Sequence, residues 1–328
     1  MLLRDQKRQE FLDKNGWGQA NRVLLAADAS FRHYDRLSQN GQTMILMDAP
    51  APENPRQFVI VDEMLQQAGV CAPKVYATDY TNGFILLEDF GDDTFTKLIQ
   101  EGKSEASLYQ QATDTLIKLQ KNAPSDLTAL PPYDLDKMLF EVSLLPLWFI
   151  KYVVGVDLSE QSLNEFNQIW TKIIQKIQSV DKTIVLLDYH VDNLMITKKN
   201  QCGVLDFQDA RLGPVFYDLI SLIEDARRPV PPEIQNNAIQ TYLNAFPNYQ
   251  TIYPQLAPLI AAQRHTKVIG IFVRLCVRDG KPRYLKYIPF VWTLLEKHLN
   301  HPDMLEFKAW LNQYVPEKFR QEVPLIHA

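Results

Sequence analysis

The hydrophobic patterning changes character at Asp92, and this limits the possible folds more than any other feature. Before that point, residues 22–25, 34–37, 44–47, 74–78 and 83–88 are short β-prone segments, and Ser38-Gln-Asn-Gly41 between two of them is a hairpin signal. Residues 54–67 read as one helix, with Pro55 in its first turn and Gly69 as its stop. Beyond Asp92, helical stretches cover 105–121, 135–154, 160–180, 234–245, 255–277 and 284–299. A β-like interlude at 183–207 interrupts them. This order predicts an α+β fold of two lobes: a small β-rich N-lobe, residues 1–90, and a larger, mostly helical C-lobe, residues 91–328. The connector is Leu87-Glu88-Asp89-Phe90-Gly91, and a crevice between such lobes is a natural ligand site.

Composition removes several function classes. The 328 residues carry 34 Lys+Arg against 39 Asp+Glu, a net charge of −5, which argues against a nucleic-acid binder. Three cysteines, Cys71, Cys202 and Cys276, lie far apart without a CxxC pair, so neither a zinc site nor a disulfide scaffold is expected. The apolar run at 143–156 is broken by Pro146 and Lys151 and is too short to span a bilayer. The N-terminus lacks the apolar core of a signal peptide, so a soluble, cytoplasmic protein without membrane partners is expected.

The chemistry concentrates in Val185-Leu-Leu-Asp-Tyr-His-Val-Asp-Asn-Leu-Met195 and Gly203-Val-Leu-Asp-Phe-Gln-Asp209. Apolar flanks hold a loop in place, and its polar members then need partners or a ligand. Asp188, Asn193 and Asp206 are three hard oxygen donors of the kind Mg2+ takes together with substrate phosphates and water. Phosphoryl transfer needs that metal and a residue that orients and deprotonates the attacking hydroxyl.

These segments, with Ala27-Asp-Ala-Ser-Phe-Arg-His-Tyr34, Ile45-Leu-Met-Asp-Ala-Pro50, Leu87-Glu-Asp-Phe-Gly91 and Asp206-Phe-Gln-Asp-Ala-Arg-Leu-Gly-Pro214, resemble the aminoglycoside phosphotransferase and choline kinase superfamily, which has the protein-kinase-like fold. Within it they are most similar to the branch of anomeric N-acetylmuramate/N-acetylglucosamine kinases used in cell-wall sugar recycling. The resemblance covers almost the whole chain. It implies an ATP-dependent enzyme using Mg2+, with an amino sugar as small-molecule partner, expected as a monomer. It also implies that Asp188 is the catalytic base, that Asn193 and Asp206 hold the metal, and that Glu88, Asp89 and Phe90 contact adenine through backbone groups. Asp218 would brace the catalytic loop. Two positions depart from the superfamily pattern: Leu186 stands where a His is common, and Met44-Ile-Leu-Met-Asp48 lacks the third-strand Lys that holds the α- and β-phosphates. Arg32 or Arg36 is expected to reach the phosphates instead.

Other residues carry two readings each. Ser30, Phe31 and Arg32 either cover the phosphates through backbone N–H groups and a hydroxyl or form an ordinary hairpin turn. Glu63 is a partner for a cation near the phosphates or a solvated helix residue. Glu141 is a candidate for sugar hydroxyls. His190 is a substrate contact or a hydrogen-bonded structural histidine, and Asp192 and Asp209 are indirect metal neighbours or solvated. Trp148-Phe149 and Tyr152 read as core more than as a sugar platform. Arg227 and Arg228 could pair with the lactyl carboxylate of N-acetylmuramate or be solvated at a helix end. An aminoglycoside, choline or another small alcohol stays open as the acceptor, and so does a pseudokinase that binds nucleotide without turnover.

Overall fold

A computed structural model of the chain describes residues 2–27 and 31–324. Its N-lobe is a five-stranded antiparallel sheet of β1 (Asn21–Ala27), β2 (His33–Gln39), β3 (Gln42–Asp48), β4 (Val75–Asp79) and β5 (Phe84–Leu87), in the order β1-β2-β3-β5-β4. Pairing of Gln39 with Gln42 leaves Asn40-Gly41 as a two-residue turn, with φ of 50° and 74°. Both residues therefore take the positive φ that a type I′ hairpin requires, which Asn and Gly tolerate best.

Helix α1 (Leu2–Lys14) is fixed to the sheet by chemistry at both ends of its inner face. Arg4 and Arg8 pair with the buried Asp48 carboxylate, the second at 3.1 Å, and Phe11 stacks on Phe84 at 5.7 Å. Asp48 closes the strand that lacks the expected Lys, so this end of β3 is an anchor for α1. Helix α2 (Pro55–Gln67) starts where Asn54 accepts from the N–H groups of Arg56 and Gln57, at 3.1 and 3.3 Å.

The C-lobe contains α3 (Phe95–Gln100), α4 (Glu105–Lys121), α5 (Leu135–Val142), α6 (Glu160–Ile177), α7 (Tyr217–Ile223), α8 (Pro232–Ala245), α9 (Tyr253–Val277), α10 (Ile288–His298), α11 (Leu305–Tyr314) and α12 (Glu317–Gln321). Between α6 and α7 run four short strands, β6 (Lys182–Val185), β7 (Leu194–Ile196), β8 (Cys202–Val204) and β9 (Arg211–Pro214), paired β6 with β9 and β7 with β8. One apolar core runs from Met47 and Phe58 in the N-lobe through Trp170 to Trp292 in the C-lobe. Among the described residues, no helix is long and apolar enough to cross a membrane.

Two expected helices divide. The stretch 135–154 splits into α5 and a π-helical segment, Leu145–Val154, because Pro146 has no N–H to continue the α pattern. Helix α9 crosses this break so closely that a Cβ on Gly270 would lie 2.3 Å from the Leu144 carbonyl carbon. The stretch 284–299 opens as a 3-10 turn, Pro282–Tyr287, before α10 begins. Phe149 lies in the core, while Trp148 and Tyr152 stack on each other at 5.5 Å near the surface.

Helix α2 buries Asp62 and exposes Glu63, so Glu63 has the solvated place and not the one near the phosphates. Asp62 Oδ2 accepts from Gln66 at 2.7 Å, while its Oδ1 is buried without a hydrogen-bond partner among the described residues. Burial pushes this carboxyl up to about 7; Gln66 pulls it down, and the negative Glu63 and Glu88 add to the rise. The folded protein thus binds this proton more tightly than the unfolded chain. The stability it contributes is complete below the ordinary carboxylate range near 4 and is lost as pH rises through 7. Asp62→Asn should therefore stabilise the protein at pH 8 by roughly 2 kcal/mol, with the gain fading toward pH 4. Urea unfolding at both pH values checks this, and a pH-independent difference would contradict it.

Candidate active site

Between Thr183 and Val191, Asp188 is the one residue exposed. Strand β6 delivers the chain to Leu186 and Leu187, whose N–H groups donate to the two oxygens of the buried Asp218 carboxylate at 2.7 and 3.0 Å. Burial pushes the Asp218 carboxyl up to about 7, opposed by those two donors. Leu187 is held at φ 69°, a left-handed conformation that a Leu avoids unless its surroundings impose it. The turn tips the next side chain, Asp188, into the crevice. Tyr189 faces inward, buried, its hydroxyl donating to the Ala112 carbonyl at 2.8 Å.

Asn193 closes the loop. Its Nδ2 donates to the Asp188 carbonyl at 3.0 Å and to Asp206 Oδ2 at 3.4 Å. Asp206, beyond β8, is also left-handed, at φ 56°, and Gln208 Nε2 donates to its Oδ1 at 2.8 Å. Phe207 packs on Phe58 of α2 with ring centroids 4.8 Å apart, which fixes this turn against the N-lobe. The three expected oxygen donors are therefore brought to one place. With its amide nitrogen turned to Asp188 and Asp206, Asn193 has its amide oxygen left for a ligand. A carboxylate beside an amide oxygen fits Mg2+, which takes few protein ligands and completes its shell with phosphate and water.

A cavity of about 230 Å³ opens beside this cluster, lined by Ile45 of β3, Leu87, Met195, Leu205 and the connector Glu88 to Gly91. Its apolar walls and backbone polar groups suit a flat, uncharged base. The Asp89 side chain is turned away to Arg36, 2.8 Å from its Nε, and to the Gly91 N–H at 2.9 Å. Arg36 also holds Asp92 at 2.8 Å and the Gly91 carbonyl at 2.9 Å. This corrects the expectation for Arg36: it pins the connector and does not turn to the phosphate end. Arg32 faces across the lobes instead, buried, at 3.5 Å from Glu53 and 3.6 Å from Asp209 of the opposite lobe. Phe31 is exposed, its N–H donating to Glu53 at 3.2 Å, and Ser30 lies outside the described residues.

The other end of the crevice, about 520 Å³, is lined by Asp188, Glu141, His190, Arg227 and one face of α9. With Arg32, Asp206 and Asp209 at its edge included, eight Lys and Arg line it against five Asp and Glu, although the whole chain is net negative. Glu141 is 5% exposed and its carboxylate is engaged: Lys137 lies 3.2 Å away, Lys267 3.4 Å, and the Tyr133 hydroxyl donates to it. Burial raises the Glu141 carboxyl, but the two lysines more than offset this and hold it below its usual range. Burial likewise works against the Lys267 cation, and Glu141 and Tyr217 reverse the effect, so it stays charged beside Asp188. Glu141 therefore holds Lys267 in place, and its oxygens are not free for sugar hydroxyls as expected.

His190 is buried, and Arg227 Nη1 donates to its Nε2 at 3.0 Å, which places the ring proton on Nδ1. Burial and then the charges of Arg227 and Arg264 push its pKa well down, so the ring is neutral. Arg227 itself lies 3.6 Å from Asp192 and 3.9 Å from Asp225. Arg228 leaves the crevice for Glu105, at 2.8 Å, and Tyr109, at 3.1 Å. Trp148 and Tyr152 are not among the residues lining the crevice. Gln208 and Lys267 also stand at this site, without having been expected there from the sequence. A signal for Lys267 exists: Gln263-Arg-His-Thr-Lys267 is a polar run inside an apolar helix, and all five residues are buried.

Residues 22–259 match the family described as "Phosphotransferase enzyme family". An N-acetylmuramate/N-acetylglucosamine kinase of Pseudomonas aeruginosa is 36% identical over 310 residues, covering 90% of each chain. A protein of the same name from Caulobacter vibrioides is 32% identical, covering 97% of this chain and 98% of its own. Among solved structures, a choline/ethanolamine kinase family protein from Mesorhizobium loti superimposes with a TM-score of 0.62 at 11% identity, over 94% of this chain and 99% of that one. The ADP-bound aminoglycoside phosphotransferase APH(2'')-Ib gives 0.60 at 18% identity, over 89% and 97%. These two likenesses bear on the fold alone.

Asp218→Ala would orphan two buried N–H donors, at about 1–3 kcal/mol each. Chemical unfolding should show a loss above 2 kcal/mol, and Asp218→Asn, which keeps one acceptor oxygen, should lose less. If the alanine variant loses under 1 kcal/mol, the loop stands without this brace.

Proposed function

The chain belongs to the phosphotransferase enzyme family and is an ATP-dependent kinase, and from that premise we propose that it phosphorylates the anomeric hydroxyl of N-acetylmuramate and N-acetylglucosamine. The observation that carries this acceptor class, beside the names of the relatives, is the excess of cations around Asp188. Aminoglycosides and choline are themselves cationic and call for acidic or aromatic linings. A wall of eight cations against five acids repels them and suits an acidic or neutral sugar.

The adenine lies against Ile45, Leu87 and the connector, which Arg36 keeps rigid. Arg32 supplies the phosphates with the positive charge that the third strand lacks. Asn193 and Asp206 would hold Mg2+, which would supply charge neutralisation for the phosphates. Asp188 orients the anomeric hydroxyl and takes its proton as that oxygen bonds to the γ-phosphorus. The bond from the γ-phosphorus to the bridging oxygen breaks, and ADP leaves with that electron pair. Lys267 offsets negative charge beside the reacting oxygen. Most of the rate enhancement then comes from positioning and fixed charge, without covalent chemistry by the protein.

Incubation with ATP, Mg2+ and either amino sugar should give a sugar 1-phosphate, read by phosphorus NMR from its coupling to the anomeric proton. Asp188→Asn should lower kcat at least about 100-fold while leaving ATP affinity within a few-fold, by calorimetry, because it removes a base and keeps the loop. Activity within tenfold of the parent would remove Asp188 from this role. Product from kanamycin or choline and none from either sugar would overturn the acceptor assignment.

A further inference from the structure

Helix α9 and its C-cap residue Arg278 present Lys267, Ile271, Arg274 and Arg278 to the acceptor crevice, at the spacing of one helical face. Two of the three cations on this face are satisfied. Lys267 has Glu141 at 3.4 Å and the Tyr217 hydroxyl at 2.8 Å. Arg278 is bidentate to Asp279, at 2.6 and 2.9 Å. Elsewhere on the wall, Arg264 donates to the Glu224 carbonyl at 3.1 Å, and Arg227 is taken by Asp192 and His190. Arg274 differs. It makes no side-chain hydrogen bond or ion pair among the described residues, and its Nε is buried without a partner.

A half-buried guanidinium in this position is unfavourable by itself. Burial and the like charge of Arg278 lower its pKa. The nearby carboxylates, Asp279 and Glu141, are committed to Arg278 and to the lysines. An unpaired, partly desolvated cation on the wall of a binding crevice is completed by an anion from outside, and a guanidinium fork matches a carboxylate in two parallel hydrogen bonds. Arg274 stands seven residues beyond Lys267, two helical turns or about 10 Å along the axis from the group beside Asp188. Asp188 and Arg274 line one crevice, so a sugar with its anomeric oxygen at Asp188 and its far side toward α9 would present a ring substituent to Arg274. Of the two proposed acceptors, only N-acetylmuramate carries a carboxylate, on the lactyl ether of its third ring carbon.

We propose that Arg274 binds the acceptor carboxylate and gives the enzyme its preference for the acidic sugar over the neutral one. This inference rests on the acceptor reading above, and it replaces Arg227 and Arg228 in the carboxylate-binding role considered from sequence. Phe272 and Tyr284 line the same crevice and stack on each other at 5.5 Å, which makes this part of its wall apolar.

Steady-state kinetics of the parent, Arg274→Gln and Arg274→Lys with both sugars tests it. In Arg274→Gln, kcat/KM for N-acetylmuramate should fall about 10- to 100-fold, mostly through KM, while that for N-acetylglucosamine stays within about threefold. Arg274→Lys should recover part of the loss. Added salt should raise the parent's KM for N-acetylmuramate and leave that of Arg274→Gln nearly flat. Equal losses with both sugars, or no loss with either, would overturn the role of Arg274 while leaving the kinase reading intact. A parent enzyme that phosphorylates neither sugar would refute the acceptor reading and this inference with it. Unchanged N-acetylglucosamine kinetics in the variants also shows that they are folded.

Discussion

Two hydrogen bonds, from the backbone of Leu186 and Leu187 to the buried Asp218 carboxylate, set the position of the Asp188 side chain. They hold Leu187 in a left-handed conformation that costs a Leu on the order of 1 kcal/mol or more, and the surrounding buried loop keeps it there. Asp188 is exposed because its neighbours on both sides cannot be. Asn193 then binds the Asp188 carbonyl, and Asp206, on a second left-handed turn, comes within 3.4 Å of Asn193. The Leu186 that stands where the superfamily often has His contributes through its backbone N–H, which any residue but proline supplies.

Charge is distributed in a way the net value hides. The chain is acidic overall, yet its central crevice is lined by more cations than acids. Most of those cations are held by a specific partner, such as Glu141 for Lys267 and Asp192 for Arg227. A network of this kind keeps side chains preorganised, so that little reorganisation is needed when a substrate arrives. In the same network the Glu141 carboxylate is taken by Tyr133 and the lysines, and His190 accepts from Arg227 through Nε2 while its buried Nδ1 has no partner among the described residues.

The local signals that can be read from a sequence are those that depend on near neighbours. Asn54-Pro55 and Asn40-Gly41 mark a helix start and a hairpin through their own backbone chemistry. The Asp188, Asn193 and Asp206 set is legible because its apolar flanks and order lie within one short stretch. Strand β9, Arg-Leu-Gly-Pro, has almost no strand propensity and exists because β6 pairs with it. Arg32 and Arg36 look equivalent four residues apart. Only the fold shows that one faces Asp209 and the other the connector. Lys267 is flagged only by the polar run around it, and Arg274 is an ordinary helix residue until the fold brings both to the crevice that Asp188 lines.

The proposed reaction requires Asn193 and Asp206 to hold one cation against the phosphates while Asp188 faces the acceptor. A crystal structure with a non-hydrolysable ATP analogue, Mg2+ and N-acetylmuramate tests it most directly. The expected result is an octahedral ion about 2.1 Å from an Asp206 oxygen and the Asn193 amide oxygen. The anomeric oxygen should lie within hydrogen-bond distance of Asp188. An ion bound elsewhere, or a sugar whose anomeric oxygen faces away from Asp188, would contradict it.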